Sequence, residues 1–207
     1  LEYAEYWFNR ALAAAGDDPV GQARASFRLG RIEQERGRVD RARARLQDAL
    51  KFAESGKDYF WRGYAHKHLL RLAADVPAER EAALSHYSSA IGQLRFLARS
   101  AAPPISAQEE SELHAHAAWV VARLAESGKT VPCPLDTRPV DPGFACAYAL
   151  IEESIRLAPA DGPRIYALVT RAEIALLQGG LREAEASIHE AAALDGVSSL
   201  VMLPPSG

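Results

Sequence analysis

"LGRIEQERGRVDRARARLQDAL", Leu29 to Leu50, decides the fold. Gly30 and Gly37 lie seven residues apart, and Ala42, Leu46 and Ala49 follow at spacings of four and three. Gly37 ends one helix, and the next begins near Asp40. A side chain at position 30 would hold two helix backbones apart. Gly30, Ala42 and Ala49 let them close, and Leu46 fills the groove that remains. The segment predicts a tight helical hairpin.

The pattern recurs. In "YALVTRAEIALLQGGLREAEASIHEAAAL", Tyr166 to Leu194, Ala172 takes the place of Gly30 and Gly179 that of Gly37. Leu181, Ala184, Ile188 and Ala191 match Val39, Ala42, Leu46 and Ala49. The second-helix stripe returns as Ala4, Phe8 and Ala11, as Ala83, Tyr87 and Ala90, and as Ala147, Ile151 and Ser154. Trp61, Tyr64, Ala65 and His68 form a first-helix stripe. Helical periodicity runs through almost the whole chain, and sustained strand alternation is missing. Helices are expected over residues 2–15, 21–36, 40–53, 58–74, 78–99, 106–127, 143–158, 164–178 and 181–194. Breaks between them carry turn chemistry, such as Gly16-Asp17-Asp18-Pro19, Ser55-Gly56 and Pro159-Ala160-Asp161-Gly162-Pro163.

With these residues the chain resembles the tetratricopeptide repeat family, a helix-turn-helix unit repeated every 34 residues. The resemblance runs from Glu2 to about Leu194. Residues 23–54 and 165–196 match well, and three further repeats match in part. The resemblance implies an all-α, right-handed solenoid of helical hairpins, about nine helices over residues 1–196. Within it lies a proline-rich insertion, 128–142, and a tail follows at 197–207. It also implies that first helices line a concave groove, and that the chain is a non-catalytic scaffold binding a protein or peptide segment. A second reading is an effector-sensing module of a transcription regulator or signalling protease, and a third is an enzyme on a helical-repeat fold. The family's charged clamp uses lysines and asparagines in its first helices; here those helices hold no asparagine and one lysine, Lys67, so a clamp for a free peptide C-terminus is not expected.

The candidate groove residues are Arg24, Phe27, Arg28, Arg31, Arg62 and His66. Arg24, Arg28 and Arg31 share one helix face through spacings of four and three. Guanidinium forks suit carboxylates and phosphates, so an acidic partner segment is expected, with Phe27 adding apolar contact. Arg62 and His66 continue the line from the next first helix. A solvated face, with Arg31 paired to Glu35, is the competing reading.

Composition bounds the rest. The 207 residues are 48% hydrophobic and 25% charged, with a net charge of −3. That gives no global pull toward nucleic acid, and no apolar run approaches a membrane span. Gln22 to Lys51 holds nine basic and four acidic residues, while Pro104 to Leu200 holds seven and fourteen. This asymmetry reads as drift on a solvated surface, or as a field that steers a partner or favours head-to-tail contact. Alanine and arginine abundance suggests a bacterial source, and Leu1 in place of methionine suggests a piece of a longer protein. The N-terminal helix reads as half of a broken hairpin, with Tyr3, Tyr6 and Trp7 available for self-association.

Signals for chemistry are weak. Gly128-Lys129-Thr130 ends like a phosphate loop, but Arg123 stands where that loop needs glycine and a helix precedes it. His66/His68 and His114/His116 are spaced by two, which puts each pair on different helix sides. No metal, cofactor or catalytic set is expected. Cys133 and Cys146 are expected to be reduced thiols in a cytoplasmic protein, although a bond between them is geometrically conceivable.

Overall fold

The structure, a computed structural model, describes residues 1–74, 76–99, 106–135 and 141–195. Among them there are nine α-helices and no strand. The helices are α1 (Glu2–Ala14), α2 (Pro19–Glu35), α3 (Val39–Ser55), α4 (Tyr59–Ala74), α5 (Arg80–Arg99), α6 (Ala107–Glu126), α7 (Phe144–Leu157), α8 (Asp161–Leu177) and α9 (Leu181–Leu194), with one 3-10 turn at Pro77–Glu79. The tail drawn at 197–207, with Leu200–Leu203, lies outside the described residues, as do 136–140 of the insertion. The chain divides into two compact units, Leu1–Ile105 and Ser106–Gly207.

Helix ends follow local chemistry. α2 starts two residues earlier than expected because Asp18 caps it, accepting from the Val20 amide at 3.0 Å, and Pro19 occupies the first turn. Asp161-Gly162-Pro163 read as a turn but forms the first turn of α8, where the missing proline N–H has no intrahelical partner to lose. α6 carries a capping box: Ser106 Oγ accepts from the Glu109 amide, and the Glu109 carboxylate accepts from the Ser106 amide. Gly37 and Gly179 follow their helices at φ +69° and +83°, a left-handed conformation that glycine adopts without the Cβ penalty.

In the first unit α2 packs on α1 and α3, α4 packs on α3 and α5, and α2 also touches α4. Ala42, Leu46 and Ala49 of α3 are fully buried. A Cβ built on Gly30 would stand 2.9 Å from Leu46 Cγ and 3.4 Å from the Ala42 carbonyl oxygen. The two backbones therefore approach through the small residues, as the sequence predicts. An ion pair of 2.6 Å between Glu5 and Arg36 ties α1 to the far end of α2.

In the second unit α6 packs on α7 and α8, and α8 packs on α7 and α9. Ser154 takes the last small position of the α7 stripe. It is buried with Ser111 of α6, and each hydroxyl donates to the other residue's carbonyl, at 2.7 and 2.9 Å. The repeated stripe thus tolerates a polar atom because its hydrogen bond is made inside the helix pair. Ala172, Ala175 and Ala184 form the small-residue contact between α8 and α9.

Candidate functional site

Of the six residues expected in one groove, the structure keeps two as a free basic edge and sends the others elsewhere. Arg24 and Arg28 are exposed on α2, one turn apart. Neither has a carboxylate partner among the described residues. Arg24 lines the rim of an apolar cleft of about 420 Å³ between α1 and α2, with Phe8, Ala11, Ala15 and Ala25 on its walls and Asp18 nearby. The Arg28 guanidinium lies 5.9 Å from the centre of the Trp61 ring on α4, a cation–π contact.

Phe27 is a correction. It is only 3% exposed and belongs to the core, against Leu46, Ala49, Ala65 and Leu69. Its ring meets Trp61 at 5.3 Å, Tyr64 at 6.0 Å and His68 at 5.2 Å. An aromatic flanked by arginines at its own helix's edge gains more by filling the α2–α4 seam than by facing water; full burial of such a side chain contributes about 1.5–3 kcal/mol. Trp61, half-buried beside Arg28, is the aromatic that an approaching ligand can reach.

Arg31 has the partner that the solvated-face reading assigned, Glu35 at 3.6 Å, with both side chains well exposed. Arg62 stays on α4 beside Tyr59, and His66 meets α5. The Arg62 guanidinium lies 5.6 Å from the Tyr59 ring centre, and its Nε is buried without a hydrogen-bond partner. His66 Nδ1 lies 2.9 Å from Nδ1 of His86 on α5. Burial, then His86 and Arg62, push the His66 pKa down to about 4, and burial lowers that of His86 while Glu79 opposes it. Both rings are therefore neutral near pH 7, and one donates its proton to the other. His68 faces the opposite way, 2.8 Å from Gln34 on α2, so the spacing of two does separate the histidines.

Cys133 and Cys146 form a disulfide, with Cα atoms 5.5 Å apart. This corrects the expectation of reduced thiols. It fastens the extended segment before α7 to the first turn of that helix, and among the described residues no cysteine is free. No helix among the described residues is long and apolar enough to cross a membrane, and no group of three described side chains is placed to hold a metal ion.

Trp61, absent from the expected groove residues, packs against the Phe27 cluster and also stands beside Arg28, which makes it part of the basic edge. Comparison with protein-family models, with curated proteins and with solved structures finds no match.

Proposed function

We propose that the chain is a helical-repeat module of the tetratricopeptide type, a right-handed solenoid, that binds a protein or peptide segment and performs no chemistry itself. The small-residue packing of α2 on α3 and of α8 on α9 supports the repeat. One observation carries the binding reading. α2 holds two exposed arginines, Arg24 and Arg28, without carboxylate partners among the described residues, beside the half-buried ring of Trp61.

The ligand is an acidic or phosphorylated segment. Each guanidinium can grip a carboxylate or phosphate with two parallel N–H···O bonds. Exposed ion pairs contribute only about 0–1 kcal/mol each, so binding needs the indole face as well and weakens with salt. A peptide array tests this with wild type beside Arg24→Glu/Arg28→Glu at low and high salt. Acidic and phosphorylated sequences should bind wild type and be lost in the variant while its circular dichroism is unchanged. Equal binding by both proteins would remove this edge from the account.

The cysteines bear on the compartment. A disulfide persists where the medium is oxidising and is rare in a reducing cytosol. The Cys133–Cys146 bond therefore favours a periplasmic or extracellular setting over the cytoplasmic one expected from the sequence.

A further inference from the structure

A second helix in this chain has two apolar contacts to make. α3 packs on α2, and it also offers Leu46, Ala49 and Leu50 to Ala65, Leu69, Trp61 and Tyr64 of α4. Leu46 is 0% exposed as a result. The equivalent residue of the α8–α9 pair is Ile188, which is 48% exposed. Ala184 and Ala191 beside it are buried against α8. α9 thus presents a face of the kind that α4 covers on α3, and no described helix covers it.

α1 has the surface that fits there. Tyr3, Tyr6, Trp7 and Arg10 repeat the spacing of Trp61, Tyr64, Ala65 and His68 on α4. None of the residues of α1 is buried, and Tyr3 is 76% exposed. The rings are already ordered edge-on, Tyr3 to Trp7 at 6.0 Å and Tyr6 to Trp7 at 5.4 Å, with the Arg10 guanidinium 5.3 Å from the Trp7 centre. Exposed aromatic stripes of this kind mark interfaces. Charge agrees. Residues 1–105 carry 17 basic and 13 acidic side chains, a net of +4, and residues 106–207 carry 7 and 14, a net of −7. The unit bearing α1 is attracted to the unit bearing α9.

We propose that α1 of one copy docks on the free face of α9 in a second copy, in the place that α4 holds on α3. The contact is heterologous: each copy uses one surface as donor and a different one as acceptor. It does not depend on what the arginine edge of α2 binds.

Sedimentation velocity over a concentration series tests it, with the 22.5 kDa chain as the unit of mass. Wild type should rise above the monomer mass with concentration, less so in high salt. Trp7→Ser and Ile188→Glu, both at exposed positions, should keep wild-type circular dichroism and melting. Each alone should lose at least tenfold in association constant. Their equimolar mixture should return a dimer and nothing larger, because one variant keeps an intact acceptor and the other an intact donor. Three outcomes would overturn the proposal: a wild type that stays monomeric throughout, loss in Trp7→Ser without loss in Ile188→Glu (α1 pairing with α1), or a mixture that stays monomeric.

Discussion

Gly30 is the tightest point of the α2–α3 pair, and adding one methyl group there separates packing from propensity. Glycine inside a helix costs about 1 kcal/mol relative to alanine, so Gly→Ala should stabilise wherever space allows. Gly92 on α5 is the control, since a Cβ there meets nothing within 4 Å. Gly92→Ala should gain about 1 kcal/mol. At Gly30 the new Cβ stands 2.9 Å from Leu46 Cγ and 3.1 Å from its Cδ2, and Leu46 is itself fully buried. That side chain cannot swing into solvent, so either it leaves its rotamer or the helices part. Overpacking of this kind costs about 1–3 kcal/mol. Gly30→Ala should therefore fall about 1–3 kcal/mol below Gly92→Ala, ranging from neutral to about 2 kcal/mol destabilised. Gly30→Leu should fall further. The assay is urea denaturation followed at 222 nm, with slopes compared so that midpoints report stability. Equal stabilisation by both alanine substitutions would refute the close approach of α2 and α3.

Other perturbations read other parts of the fold. His66 has a folded pKa near 4, below its ordinary 6.5, so the unfolded chain binds the extra proton first and stability is lost as pH falls from about 6.5 toward 4. Its share approaches about 1.4 kcal/mol per pH unit, and His66→Gln should flatten the wild-type slope by that share across this window in denaturation at a series of pH values. The disulfide closes a loop with a sequence separation of 13, so reduction or Cys133→Ser/Cys146→Ser should cost about 3 kcal/mol, read as a lower melting temperature. A thiol titration should find no free cysteine before reduction. In the second unit, Arg171 donates to Ser187 at 2.9 Å, to Glu190 at 2.9 Å and to Glu152 at 3.1 Å. Arg171→Met should cost about 1–2 kcal/mol, since hydrogen bonds to charged groups are the stronger kind but Glu152 is solvent-screened. Unchanged denaturation would remove this network from the α7–α8–α9 packing.

The helices were legible because their cause is local. Small and large residues alternate at spacings of three and four, and Gly37 and Gly179 mark where two of them stop. What escaped was what depends on a neighbour. Nothing in the local pattern distinguishes a Phe27 that faces a groove from one that fills the α2–α4 seam, since the Trp61, Tyr64 and His68 that bury it lie 34 or more residues away. His66 escaped for the same reason: its partner, His86, arrives from α5. The cysteine bond escaped because composition gives only a default redox state, while the fold holds the two Cα atoms within bonding range. Arg31 was read with both of its outcomes, and the nearer charge, Glu35 one turn away, takes it.

The account rests most on the edge formed by Arg24, Arg28 and Trp61 as the place where a partner segment binds. Chemical-shift mapping reads this directly: labelled protein is titrated with the best acidic peptide from the array. The account predicts shifts concentrated on α2 around Arg24 and Arg28 and on the Trp61 indole N–H, fading as salt is raised. Shifts centred on residues 128–135 or on α8, with Trp61 unmoved, would contradict it.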